Sequence, residues 1–153
     1  MGVLDRAGEF SAFMEAAEPG LRRALVALYG AEEARDAMAE GLAYAWQHWD
    51  RVQTMANPTG YVYRVARGRG RRRRVRPLFP DVSGSMPEVE PGLAHALARL
   101  PERQRVAVLL VHGWDWTYEE VATLMGVSVS SVRNHVARGL ERLRRLLGVQ
   151  VNG

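Results

Sequence analysis

Along the first half of the chain, apolar residues return every three or four positions, the period of helices packed on one side. Phe10, Phe13, Met14 and Ala17 form one such stripe, which the breaker pair Pro19-Gly20 should stop. Leu21, Ala24, Leu25 and Leu28 form a second, closed by Gly30, so two short amphipathic helices are expected there. From Ala31 to about Arg51 a longer helix is expected, with Met38, Leu42, Ala45 and Trp49 on one face and Asp36, Glu40, Ala43 and Gln47 on the other. Asn57-Pro58 reads as the start of a further helix that points Val62, Val65 and Ala66 inward. It should dissolve into the run from Arg67-Gly68-Arg69-Gly70-Arg71 to Arg74, because each glycine costs about 1 kcal/mol in a helix interior.

Residues 77–92, PLFPDVSGSMPEVEPG, have neither period and hold four of the seven prolines, which makes them a linker. Beyond it a short helix is expected near 93–99, then one with Pro101 in its first turn that ends at Gly113. Thr117-Tyr-Glu-Glu120 is a capping box opening a short helix to Leu124, and Gly126 in the tight turn after it can take positive φ. Ser128 can then cap a helix of about 20 residues closed by Gly148. Two helices across a three-residue turn containing glycine, the second long and basic, describe a helix-turn-helix. No alternation long enough for a strand occurs. The expected fold class is all-α: small helical domains at 1–76 and 93–153, the second a helix-turn-helix, joined by the Pro-rich linker 77–92.

Composition narrows the partners. The 153 residues suffice for one ordinary domain or two small ones, and with 47% apolar and 25% charged residues the chain reads as globular. No apolar run reaches the roughly 18 residues of a membrane helix, and MGVLDRAGEF lacks the order of a signal peptide, so a cytoplasmic protein without membrane insertion is expected. There is no cysteine, hence no disulfide, thiolate metal site or cysteine nucleophile. There is no lysine either: all 21 basic residues are arginine, which removes phosphate-loop and Schiff-base lysines. The net charge of +4 conceals segregation, with −5 over residues 1–50, +9 over 51–76, −3 over 77–102 and +3 over 103–153. Two basic stretches around an acidic one suggest two contacts with a polyanion.

The last helix supplies one of them. Val132, Val136, Leu140 and Leu143 share one arc, and Ser130, Ser131, Asn134 and Arg138 collect opposite, with Arg133 on the flank. Short polar groups at the N-terminal end with Asn and Arg behind them suit a helix entering a major groove, where Asn pairs with adenine and Arg with guanine. The other contact is the helix before the linker. There Tyr61 and Tyr63 precede Arg64, Arg67, Arg69 and Arg71, combining stacking with phosphate contacts as a single strand requires, and one of the two tyrosines belongs to the core because they point to different faces.

Other groups read as packing. Trp46, Trp49, Trp114 and Trp116 are assigned to core and rim. His48, His95, His112 and His135 contain no i, i+4 pair, so no metal is expected. With no nucleophile elbow or dinucleotide fingerprint, neither a catalytic residue nor a cofactor is expected, and the chain does not read as an enzyme.

Together these pieces resemble the extracytoplasmic-function (ECF) group of bacterial sigma factors, the smallest members of the sigma-seventy family. Asp36-Ala-Met-Ala-Glu40-Gly-Leu42 and Ala45-Trp46-Gln-His-Trp49-Asp50-Arg51 are similar to the family's D-L-V-Q-E-x-F and A-W-x-x-W-D-R stretches. Pro58-Thr-Gly-Tyr61-Val-Tyr63-Arg64-Val-Ala66-Arg67 is similar to P-x-x-W-L-Y-R-I-A-R. Leu100-Pro-Glu-Arg-Gln-Arg105, Tyr118-Glu-Glu-Val-Ala122 and Gly126-Val-Ser-Val-Ser-Ser-Val-Arg133 resemble L-P-x-x-x-R, Y-x-E-I-A and G-V-x-x-x-T-V-K. Ala39 stands where the family has Gln, and Gly68 and Gly70 where it has helix-favouring residues.

The resemblance implies a two-domain, all-helical subunit of RNA polymerase. Asp36, Glu40, Ala43 and Gln47 would face the beta-prime clamp, with the beta flap as a second polymerase contact and an anti-sigma factor as a further candidate partner. Tyr61, Tyr63, Arg64, Arg67, Arg69 and Arg71 would open the minus-ten element of promoter DNA, and Ser130, Ser131, Arg133, Asn134 and Arg138 would read the minus-thirty-five element as duplex. The linker reaches at most about 53 Å at about 3.3 Å per residue, against about 85 Å for about 25 base pairs between the elements. Two alternatives remain at this point: a LuxR-like helix-turn-helix regulator, since Val132-Arg-Asn-His-Val136 also resembles that recognition helix, and an Arg-Gly RNA-binding protein.

Overall fold

The computed structural model describes residues 3–70 and 91–148, which fold as helices and short turns with no strand among the described residues. The first helix, α1, runs Val3–Tyr29 without a break, where two helices were expected. Pro19 removes one backbone donor at a cost of about 3 kcal/mol. Leu21, Leu25 and Leu28 just beyond it are buried to 1% exposure or less, and full burial contributes about 1.5–3 kcal/mol each, so tertiary packing outweighs the local breaker. Gly20 faces the Trp116 ring, which a Cβ there would meet at 3.0 Å.

Helix α2, Ala31–Gln47, buries Ala34, Ala37, Gly41 and Ala45, while Met38 and Leu42 of the expected inward stripe are half-buried on its flank. The smaller residues win because α4, Pro58–Gly70, crosses very closely: a Cβ on Gly41 would come within 2.9 Å of the Ala66 Cβ and 3.3 Å of the Val62 carbonyl. Rather than continuing to Arg51, α2 stops at Gln47, His48 turns out at φ −116° and ψ 26°, and a single turn, α3, spans Trp49–Val52. The break swings Trp49 into an aromatic cluster, 5.2 Å from both Phe10 and Phe13, and Phe10 stacks 5.2 Å from Trp46. All four tryptophans are buried or half-buried, as assigned. Helix α4 also persists through Gly68 to Gly70 instead of dissolving at Arg67. The buried Ala66 and a hydrogen bond from the Tyr29 hydroxyl to the Arg67 carbonyl hold its last turns despite the glycine cost. The expected fraying of residues 71–76 and the linker residues 77–90 lie outside the described residues.

Helix α5, Pro91–Ala98, takes the last two positions of the linker range as its first turn. Helix α6, Glu102–Val108, has Pro101 as its N-cap rather than in its first turn, and it widens into a π-helical turn at Leu109–Gly113. Helices α7, Tyr118–Met125, and α8, Val129–Leu146, form the expected helix-turn-helix. The Thr117 capping box closes at 3.0 and 3.1 Å, Gly126 sits at φ 69°, and the Ser128 hydroxyl accepts from the Ser131 N–H at 3.1 Å. Gly148 follows the end of α8 at φ 68°.

The helices before and after the undescribed segment share one continuous core. At its centre is Arg105 of α6, 1% exposed. Its Nε donates to the Ala27 carbonyl at 2.8 Å and Nη2 to the Leu28 carbonyl at 3.0 Å, both at the C-terminal end of α1, while Nη1 reaches the Leu100 carbonyl at 2.8 Å. A helix C-terminus carries partial negative charge and unpaired carbonyls, so a rigid multi-donor guanidinium suits it. Asn57 adds a second tie, donating from Nδ2 to the Thr123 carbonyl in α7.

Candidate polymerase and nucleic-acid interfaces

The outer face of α2 comes first in the chain. Asp36, Ala43 and Gln47 are exposed and Glu40 is half-buried, at spacings of four, three and four that keep them on one side, opposite the Ala/Gly face packed on α4. This surface presents two carboxylates one turn apart and no large apolar side chain, so it suits a polar partner surface.

The residues assigned to the strand-opening site divide. Tyr63 is 2% exposed, inside the core, and burial pushes its hydroxyl far above the usual tyrosine range; it is the tyrosine of the pair that belongs to the core. Tyr61, two residues earlier, is half-buried on the surface. Arg64 and Arg69 are exposed and Arg67 is half-buried. Arg64 extends to the helix-turn-helix turn, where its Nη1 lies 2.6 Å from where a Gly126 Cβ would stand. Arg71 is outside the described residues.

Around Tyr61 the structure assembles groups that periodicity had not joined. The Arg51 guanidinium donates through one nitrogen to the Tyr61 hydroxyl at 3.1 Å and the Tyr44 hydroxyl at 3.3 Å. The Tyr44 ring lies 6.3 Å from Tyr61 and 4.3 Å from His48, with the Arg69 guanidinium 5.5 Å over it. Hydrogen bonding to Tyr61, then to Arg51, holds the Tyr44 hydroxyl below the usual tyrosine range, and the bond to Tyr44 moves Tyr61 upward. Tyr44 sits eight residues after Asp36, on the flank of α2 between the carboxylate face and α4, which is a signal the sequence held.

On α8 the arrangement matches the pattern. Val132 and Val136 are buried at 0% and 3%, Leu143 at 7%, and Leu140 is half-buried. Ser130, Arg133, Asn134 and Arg138 are exposed; Ser131 is half-buried, its hydroxyl bonded to that of Ser128 at 2.9 Å. Arg133 lies 5.7 Å over the Tyr118 ring. His135, between Arg103 and Arg138, is held below the usual histidine range, first by desolvation and then by those two cations. Among the described residues no group of three metal-ligating side chains occurs, and no helix is long and apolar enough to cross a membrane.

The described residues form helices and turns that include an αL-turned helix-turn-helix with an outward Ser-Arg-Asn-Arg face, and residues 92–143, covering most of α5 through most of α8, match the Sigma-70, region 4 family. The chain is 32% identical over 149 residues to "ECF RNA polymerase sigma factor EcfG" of Rhodopseudomonas palustris, with 88% of this chain and 82% of the relative covered. It is 30% identical over 128 residues to "ECF RNA polymerase sigma factor SigM" of Mycobacterium tuberculosis, covering 76% of this chain and 65% of that one. The fold is similar to the sigma factor RpoE from Bartonella quintana, crystallised with the anti-sigma factor NepR, at a TM-score of 0.64 and 22% identity over 94% of this chain and 99% of that one. The chain belongs to the ECF RNA polymerase sigma factors. It is a DNA-binding subunit of transcription initiation, and the LuxR-like and Arg-Gly readings give way.

Proposed function

We propose that this sigma factor directs core polymerase to promoters by reading the minus-thirty-five element as duplex with α8 and opening the minus-ten element with α4, as two domains bounded near 1–76 and 93–153 with 77–92 as linker. The carrying observation is the outward face of α8, where Arg133, Asn134 and Arg138 stand exposed behind a capped N-terminus. In this reading the Asp36/Glu40/Ala43/Gln47 face meets the clamp, the second domain meets the flap, and Tyr61, Arg64, Arg67, Arg69 and Arg71 act on the opened strand. Tyr63 serves by holding α4 in place. The protein works without catalytic residues or cofactor in the cytoplasm, and a protein of the anti-sigma kind is a candidate partner because the similar B. quintana protein was solved with one.

The two promoter elements, about 85 Å apart, are too distant for both helices to reach while α4 and α7 remain tied through Asn57 and Thr123. Promoter engagement therefore separates the two halves. In vitro transcription of genomic DNA with added core polymerase tests the reading, and defined start sites dependent on this chain are the expected outcome. Replacing both Asp36 and Glu40 by Arg should abolish co-purification with core polymerase, and Asp36→Arg alone should weaken it with the melting temperature nearly unchanged, because the exposed Asp36 charge contributes little to folding. A transcriptionally silent holoenzyme, or retained polymerase binding by the charge-reversed variant, would overturn the corresponding half.

A further inference from the structure

Beside the Asn57–Thr123 tie the two halves leave a cavity of about 470 Å³, walled by α1 and the start of α4 on one side and by Trp116 and α7 on the other. That volume lies in the range of small-molecule sites, and no assignment above uses it. Its apolar wall consists of Phe13, Ala17, Leu124 and the half-buried Trp116 ring. Unusual backbone delivers the tryptophan there: the π-helical turn Leu109–Gly113, then Asp115 at φ 59°, then a hydrogen bond from the Trp116 N–H to the Leu110 carbonyl at 2.9 Å. The charge around the cavity has one sign. Among the described residues, Glu119 and Glu120 are its only ionisable lining groups, and both are exposed. Glu120 lends an oxygen to the Thr117 N–H at 3.0 Å, whereas the Glu119 carboxylate makes no hydrogen bond or ion pair with a described residue.

We propose that this cavity is a regulatory site for a small organic cation, an ammonium group carried on a flat apolar body, and that its occupant holds the sigma factor in the closed arrangement. The apolar body fits against Phe13 and Trp116, and the ammonium meets Glu119 at the rim, where the tryptophan π face adds to the attraction. Phosphate-bearing ligands are repelled by the same carboxylates. Because the walls come from both halves, separating the halves destroys the site. A ligand that binds only the closed form draws the population toward that form and away from the promoter. The regulatory role rests on the reading that promoter engagement separates the halves; the binding site does not.

Titration calorimetry on the full chain tests the site with three probes of one shape: the cation tryptamine, neutral tryptophol and the anion indole-3-acetate. Affinity should fall in that order, with tryptamine about fivefold tighter than tryptophol, the upper range for one exposed ion pair. Glu119→Gln should bring tryptamine down to the level of tryptophol. Ala16→Leu, which enlarges a lining residue at an exposed position, should weaken all three. No saturable binding of tryptamine at millimolar concentration, an order indifferent to charge, or affinities that ignore both substitutions would overturn the site. Transcription by reconstituted holoenzyme then tests the regulation. Tryptamine added to the free sigma factor before core polymerase should lower transcript yield over the concentrations that fill the site, and open complexes formed before the addition should be spared. In Glu119→Gln the inhibition should need about fivefold more tryptamine. An unchanged yield at saturating tryptamine overturns the regulatory role, whereas absence of transcripts without tryptamine counts against the promoter reading and leaves the calorimetry to decide the site.

Discussion

Helices α4 and α8 both carry arginines and short polar or aromatic groups at helical spacing, yet the structure uses them differently. On α8 the division is clean: Val132, Val136 and Leu143 go inward, and Ser130, Arg133, Asn134 and Arg138 go out. On α4 the same kinds of residue are shared between core and surface, with Tyr63 buried, Tyr61 on the surface, and Arg64 reaching across to the turn at Gly126. The reason is packing on several sides. Helix α4 packs on α1, α2 and α7 across both halves of the core, whereas α8 packs on α5, α6 and α7 of its own half. On α8 the outward Asn134 and Arg138 stand exposed, whereas on α4 the outward Arg64 is also engaged at the turn of the helix-turn-helix.

The sharpest way to break this comparison is to truncate the two tyrosines of α4. Tyr63→Ala should cost about 3–5 kcal/mol of stability, in line with large-to-small changes at buried aromatics, whereas Tyr61→Ala should change the denaturation midpoint only slightly and act on strand opening. Equal effects in urea unfolding would show that α4 is not divided as described. Next in size is Arg105→Ala, which strips donors from the Ala27, Leu28 and Leu100 carbonyls. At about 1–3 kcal/mol for each buried group left unsatisfied, the loss should be about 3 kcal/mol or more. Arg105→Lys should rescue little, since one ammonium cannot bridge both helices. A melting temperature within about 2 °C of wild type would refute the central role given to this side chain.

For α8 the expected effect is on binding rather than folding. Asn134→Ala or Arg138→Ala should each cost about 1–3 kcal/mol at one promoter position and relax the preference there. Promoter libraries decide it, and a uniform loss across all sequences would remove the base-reading role. The smallest effect concerns His135. Its folded-state pKa is held down, so the neutral form is favoured in the fold and acidification through the ordinary histidine range, around 6.5, draws protons preferentially to the unfolded chain. The stability present above that range should decline as pH falls through it, and His135→Gln should flatten this decline; an identical pH profile in the variant would refute the linkage.

What could be read from the sequence followed the range of the interactions. The Thr117 capping box, the αL Gly126, the Ser128 cap and the two faces of α8 depend on residues within a few positions of each other, and all were legible. The continuous α1 was not, because the leucines that carry it through Pro19 gain their burial from distant helices. The Ala/Gly face of α2 was hidden for a related reason. Periodicity ranks Met38 and Leu42 as inward, but only the closeness of α4 shows that at Gly41 even one added carbon would run into Ala66 and Val62. Burial of Arg105 was hidden because its partners on α1, the Ala27 and Leu28 carbonyls, are 78 and 77 positions away. Of the candidate sites, the α8 residues and the carboxylate face lie where the pattern put them. Tyr44 went unnoticed because its neighbours Tyr61 and Arg69 belong to another helix.

The contact between Gly41 and Ala66 has a mechanical side. Interlocking long side chains can slide by changing rotamers, but Gly and Ala have no rotamers to change, and a separation already too small for one added carbon leaves no slack. Helices α2 and α4 therefore turn together as a single stiff bracket. In the proposed reading, a push on the Asp36 side of α2 is carried to the far side of α4, so a large partner gripping the carboxylate face would aim the arginine-bearing surface like a tool fixed to a handle.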